Sequence, residues 1–207
     1  MINLIGAYIV TLVLAAVLIK GPKFSRISEN FEKLPPFIHW ALLFFLSFLT
    51  YQTMHYNSLN EYQMSFYNIP YIIIEGCNFW VHEAGHVYFM LFGEVMHFFG
   101  GTLMQVGLPF FLFLRSVKNQ YRLLSTIFLF WFAQNLPHVG RYIADARAQI
   151  LPLVGGGEHD WQFLLGRFGI KQYDELIGAF VTNSGLVIMI GSLIAYLWLF
   201  SAIKVKK

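Results

Sequence analysis

The sequence predicts an all-α polytopic membrane protein, and three observations predict it. Hydrophobic residues make up 57% of the chain and charged residues only 12%, a balance suited to solvation by lipid. Several apolar runs approach the ~20 residues that a helix needs to cross the hydrocarbon core. Aromatic residues are abundant, with 22 Phe, 11 Tyr and 5 Trp, as expected where rings line the membrane interfaces. No polar stretch is long enough for a separate soluble domain, so residues 1–207 read as a single integral membrane domain. The net charge of +3 comes from basic residues in short loops and at the C-terminus. That distribution reports topology and argues against a nucleic-acid partner. Cys77 is the single cysteine, so no internal disulfide is available.

Residues 2–19 are apolar, with no charge before them and Lys20, Lys23 and Arg26 after them. A secretory signal carries its charges in front, so this segment reads as an uncleaved anchor with its N-terminus outside. Pro35-Pro36 interrupts the chain, and residues 37–54 form a second span. The stretch 55–68 is polar, with Glu61 its only charge. Pro70 opens a third span that runs to about His97, and Gly100-Gly101 is expected to break it. Residues 102–114 are apolar but short. Residues 123–145 form the next span, a mixed loop covers 146–176, and residues 178–200 form the last span before Lys204, Lys206 and Lys207.

The short segment decides the expected topology. If 102–114 crosses, then Arg115, Lys118, Arg122 and the lysine-rich C-terminus all fall outside, against the positive-inside rule. If it dips in and returns, those basic groups are cytoplasmic together with the loop after the first span. Its length and its Gly107 and Pro109 suit a re-entrant segment. The expectation is about five transmembrane helices plus one re-entrant hairpin, with six simple spans as the alternative.

Within the third span, His82-Glu83-Ala84-Gly85-His86 spells H-E-x-x-H. On a helix, positions i and i+4 face the same way, so two imidazoles can hold one metal ion, and the Glu is placed to act on water there. Ionisable residues at membrane depth are costly and usually mark function. Glu75, Asn78, His82, His86 and His97 fall on one helical stripe, and Gln134, Asn135, His138, Arg141 and Asp145 form a second stripe in the fifth segment. Either stripe could instead serve only to hold helices together. Two histidines leave a zinc site incomplete, and Asp145, His138 and His159 are candidates for the further ligand. A carboxylate is a common companion of a histidine pair, which favours Asp145, although an ion pair with Arg141 or Arg147 is an alternative role for it. For His138, a structural or supporting role is favoured over ligation. The run Gly155-Gly156-Gly157-Glu158-His159-Asp160-Trp161 sets an imidazole beside a carboxylate in a flexible backbone, with Trp161 as an interfacial anchor. An ordinary exposed loop would read the same way. Asn78, Gln105, Asn135, His138 and Asp160 are candidates for supporting the ligands or touching substrate.

The HEAGH helix, the glycine-broken GGTLMQVGLP segment and a later helix offering an Asp resemble the site-two-protease group of intramembrane zinc metalloproteases. The run YIADARAQILPLVGGGEHDW, residues 142–161, is also similar to a block found in bacterial membrane proteins carrying HEAGH. Together these cover about half the chain. The resemblance implies His82 and His86 as zinc ligands, Glu83 as general base, residues 100–109 as a substrate-side hairpin, and a bacterial cytoplasmic membrane. The chain departs from the group's N-x-x-P-x-x-x-L-D-G segment: Asn135, Pro137 and Asp145 are spaced differently, and no Gly follows the Asp. It also lacks an appended substrate-binding domain.

The sequence therefore points to a zinc-dependent intramembrane hydrolase, a peptidase of membrane-embedded or membrane-proximal peptides, with membrane lipids and other membrane proteins as surroundings and partners. Two alternatives stand beside it. One is a membrane scaffold whose metal or polar cluster only fixes packing. The other is a membrane iron or haem protein, against which the single H-x-x-x-H pair and the lack of a HH doublet argue.

Overall fold

Helix is the only regular structure among the described residues of the computed structural model, which are 24–55, 69–151, 153 and 158–205. The elements are α1 (Phe24–Glu32), α2 (Pro36–His55), α3 (Ile69–Phe89), α4 (Glu94–Lys118), α5 (Arg122–Ala144), α6 (Asp160–Arg167) and α7 (Asp174–Val205). Short 3-10 turns at Met90–Phe92 and Lys171–Tyr173 precede α4 and α7. The expected first span at 2–19, the polar stretch 56–68 and the triple glycine at 155–157 lie outside the described residues.

Three helices are long and apolar enough to cross a membrane: Pro36–His55, Glu94–Lys118 and the segment Lys171–Ile203. The first follows from Pro36, whose fixed φ suits the start of a helix, and from an apolar run with no charge. The expected spans at 37–54 and 178–200 coincide with α2 and the body of α7, and residues 123–145 coincide with helix α5, which is not one of the three. Within the mixed loop, residues 160–167 form α6 instead of irregular chain.

One expectation is corrected. Gly100-Gly101 does not break the chain, and residues 102–114 are not a separate hairpin; both lie inside the single helix α4. The turn comes earlier, at Gly93, whose φ of 97° is open to glycine and strained for other residues. The glycines of α4 instead serve close packing. Gly100 lies against Gly85 of α3 so tightly that a Cβ on Gly85 would fall 2.7 Å from the Gly100 carbonyl carbon. Small residues that let backbones approach are the usual means of joining helices in lipid, where no hydrophobic drive separates helix from solvent. Pro109 is tolerated in α4 for a related reason, since neighbouring helices can satisfy a freed carbonyl.

Two ends of the bundle can be told apart. At one, Leu123 of α5 packs with Tyr196 and Phe200 of α7, with Phe31 of α1 and with Leu42 of α2. There the Tyr196 hydroxyl meets His39 Nδ1 at 2.7 Å. At the other, Val139 and Ile143 of α5 pack with Leu165 of α6 and Ile177 of α7. Arg147 fastens this end by pairing with Asp174 at 2.7 Å and Glu175 at 2.9 Å. Helix α3 crosses α5 obliquely. Its Tyr71 accepts from Arg141 at 3.0 Å, while its His82 ring lies 6.2 Å from the Tyr142 ring. Residues 71 and 82 are about 16 Å apart along a helix; Tyr71 belongs to a cluster with Phe130 and Ala133 in the middle of α5 and is reached there by the long Arg141 side chain, whereas His82 lies at the last turn. The H-E-x-x-H segment is thereby set near the end of the bundle that carries α6.

Candidate metal centre

The motif is helical throughout, and the turn of helix between His82 and His86 stacks their side chains on one face. One ligand atom from each of His82, Glu83 and His86 lies within 4.8 Å of the others. The two Nε2 atoms converge on a third group, Asp160 Oδ2, at 3.0 Å from His82 and 3.3 Å from His86. Asp160 is the first residue of α6, and side-chain contacts dock that helix on α4. Trp161 Nε1 donates to Thr102 at 3.2 Å, and the Phe163 ring stacks on Phe98 at 4.1 Å. His159 caps α6, its Nδ1 accepting from the Gln162 N–H at 3.3 Å. Tyr142 steadies the same turn: its hydroxyl accepts from the Asp160 N–H at 3.3 Å and its ring stacks on His159 at 4.2 Å.

The other nitrogen of each histidine is committed. His82 Nδ1 donates to Gln105 Oε1 at 3.1 Å, and His86 Nδ1 donates to the His97 carbonyl at 2.8 Å. A carbonyl oxygen only accepts, so in a neutral ring the proton sits on Nδ1 and the lone pair on Nε2. Two lone pairs and a carboxylate then face one another, an arrangement that calls for a cation between them. Bonds of ~2.0–2.1 Å to a tetrahedral zinc place ligand atoms about 3.3 Å apart, which the two Asp160 distances match. Gly101 completes the cradle, because a Cβ there would lie 2.6 Å from both Nε2 atoms. These residues fit a zinc ion. Asp160 stays ionised: burial alone would raise its pKa, but the His82 and His86 rings beside it outweigh that and hold it at about 2. Among the described residues, no hydrogen bond or ion pair engages the Glu83 carboxylate, which is half-buried beside the pair.

Asp145 and His159 are placed with each other rather than with the histidine pair. His159 Nε2 is 3.4 Å from Asp145 Oδ2, and burial pushes the His159 pKa down, which keeps the ring neutral. The Asp145 carboxylate accepts from the N–H groups of Ile150 at 2.9 Å and Leu151 at 3.1 Å, closing the loop after α5. The two polar stripes do meet. Asn78 donates to Gln134 at 2.9 Å, Trp131 donates to Asn78 at 2.9 Å, and His138 faces Glu75 at 3.6 Å. Gln105 donates to Asn135 at 3.0 Å and so links the α5 stripe to His82. Tyr142 and the His97 carbonyl are parts of the site that the sequence reading does not single out. The first is one aromatic among many, and backbone groups carry no residue signal.

Comparison of the chain with known protein families, with curated proteins and with solved structures finds no match.

Proposed function

We propose that this chain is a zinc-dependent hydrolase of the membrane, a peptidase acting on membrane-embedded or membrane-proximal peptides. The observation that carries the reading is the convergence of His82 Nε2, His86 Nε2 and Asp160 Oδ2 beside an uncommitted Glu83. Three protein ligands leave a position open, as catalytic zinc sites do and closed structural sites do not. Zinc held there supplies Lewis acidity, polarising a substrate carbonyl and lowering the pKa of water. Glu83 takes the proton from the attacking water and passes it to the leaving amine. Gln105 and the His97 carbonyl keep each imidazole turned with Nε2 inward. Tyr142 and the docked α6 hold Asp160 over the pair, so the ligand set is ready before substrate arrives.

The same proposal carries a topology. In it α2, α4, α5 and α7 cross the membrane and α3 does not, so the element that stays on one side is α3 rather than 102–114. Charge leans the same way. Lys33, Arg115, Lys118, Arg122 and Lys204 belong to the end of the bundle marked by Leu123, Tyr196 and Phe200, against Arg141, Arg147, Arg167 and Lys171 at the other, where Arg147 is paired with Asp174 and Glu175. By the positive-inside rule that end is cytoplasmic and the metal centre lies toward the opposite face. Asn119→Cys on a Cys77→Ser background should react with an impermeant thiol reagent only from the cytoplasmic side; reaction solely from outside would overturn the orientation.

The activity itself is tested with purified full-length protein in lipid vesicles containing peptides that span the bilayer. We expect about one zinc per chain and cleavage that stops on chelation and returns with zinc. Zinc-loaded protein that cleaves no member of a broad panel of such peptides, while hydrolysing a lipid amide or ester, would move the assignment to a lipid hydrolase.

A further inference from the structure

A line of polar groups, buried at Gln105 and Asn135 and half-buried at His138 and Glu75, runs from the histidine pair to a carboxylate nearer the start of α3. His82 Nδ1 meets Gln105 Oε1 at 3.1 Å, and Gln105 Nε2 points to Asn135 Oδ1 at 3.0 Å and to His138 Nδ1 at 3.3 Å. His138 Nε2 faces Glu75 Oε2 at 3.6 Å. That oxygen is buried and has no hydrogen-bond partner among the described residues. The other Glu75 oxygen accepts from Gln134 Nε2. The distance from His138 is longer than a hydrogen bond, but it is the one ion-pair contact of Glu75 among the described residues.

We infer that Glu75 is a positioning residue that sets, through His138 and Gln105, which nitrogen of His82 carries the proton. The inference rests on the proposed metal site. A carboxylate only accepts. Facing Glu75, His138 presents its Nε2–H, and its Nδ1 is left as an acceptor. An acceptor there, together with Asn135 Oδ1, draws the amide nitrogen of Gln105 toward α5. Asn135 is oriented in turn, since its Nδ2 donates to the Trp131 carbonyl at 2.9 Å. Gln105 therefore turns its oxygen to His82, whose Nδ1 must donate and whose Nε2 is left bare for metal. Asn135, held by the Trp131 carbonyl, supplies one of the two acceptors for the Gln105 nitrogen, and Glu75 sets the other through His138. Histidine ligands commonly have their other ring nitrogen fixed by such outer partners; here one such partner stands three groups away.

The test is Glu75→Gln. Gln134 still donates to an oxygen at position 75, so the new amide nitrogen is turned to His138, whose Nδ1–H then opposes the Gln105 nitrogen and pulls the Gln105 oxygen away from His82. In full-length protein in detergent, with zinc affinity read by competition against a chromophoric chelator, Glu75→Gln should bind ~10–100-fold more weakly, the range seen when an outer partner is lost. In metal-free protein labelled with 15N-histidine, His82 Nδ1 should carry a proton in the wild type and lose it in the variant. Adding Gln105→Glu to Glu75→Gln should restore affinity, because a carboxylate at 105 accepts from His82 whichever way His138 points. A simple packing role predicts no such rescue. Should Glu75→Gln fail to fold, His138→Phe removes the Nδ1 acceptor and should weaken zinc binding in the same direction. Wild-type affinity and an unchanged His82 Nδ1 in a folded Glu75→Gln protein would overturn the inference. If the wild type takes up no zinc, the metal reading fails by itself, and the ring-nitrogen comparison still decides the role of Glu75.

Discussion

Asp160→Ala should empty the metal centre, and Asp145→Ala and His159→Ala should not. Among the described residues, only Asp160 places a carboxylate oxygen within 3.3 Å of both imidazole Nε2 atoms. Its loss leaves two histidines, too few to hold zinc tightly. The fall in affinity should exceed the ~10–100-fold typical of a residue that merely orients a ligand. His159 acts on the same turn from outside, capping α6 and stacking on Tyr142. Its replacement loosens the helix that presents Asp160 and should leave zinc stoichiometry intact with a modest fall in affinity. Asp145→Ala frees the N–H groups of Ile150 and Leu151 and should appear as lower thermal stability. Elemental analysis and chelator competition on the three purified variants separate these outcomes. Retention of zinc by Asp160→Ala, with loss in Asp145→Ala or His159→Ala, would return the third ligand to the loop after α5.

That contrast shows what could be read from residues alone. The pair His82 and His86 was legible because one helical turn relates them, and local geometry is encoded locally. The stripes on α3 and α5 were legible for the same reason, and they meet through Asn78–Gln134 and Glu75–His138. The third group was not. Asp160 reaches His82 across 78 positions, and its placement depends on how α6 docks on α4 through Trp161 and Phe98. Asp145 is favoured on sequence because a carboxylate commonly accompanies a histidine pair and the polar stripe of α5 ends on it. One helical turn sets the face, but the chain bend after Ala144 turns its carboxylate onto backbone N–H groups.

The misread helix has a physical cause as well. Gly100, Gly101, Gly107 and Pro109 lower helix propensity in water, where a broken turn finds other hydrogen-bond partners. In an apolar bundle the alternative is an unsatisfied backbone, so the helix persists. Two of these glycines are then where the neighbours need room: Gly100 for the backbone of α3 and Gly101 for the space before the two imidazoles. A pattern that spells a break by propensity spells a close approach by packing. The sequence alone does not say which, because the partner helix face must be known first.

Glu83→Gln should abolish hydrolysis while leaving the zinc and the fold in place. The carboxylate makes no hydrogen bond or ion pair among the described residues, so no structural contact is lost with its charge. The amide has the same shape and cannot accept the proton of water. Loss of a positioned general base costs ~10²–10⁴ in rate, and turnover should fall by that factor with zinc content unchanged. His82→Ala and His86→Ala should differ by losing metal and activity together, since each removes a proposed ligand. The comparison also separates the enzyme from a scaffold. A protein whose metal only fixes packing would suffer from His82→Ala and His86→Ala and would be indifferent to Glu83→Gln. Cells carrying Glu83→Gln in place of the wild type should accumulate an uncleaved membrane peptide, read by comparing membrane fractions by mass spectrometry. Wild-type behaviour of Glu83→Gln in every assay where deletion of the protein has an effect would remove the enzyme reading and leave the scaffold in its place.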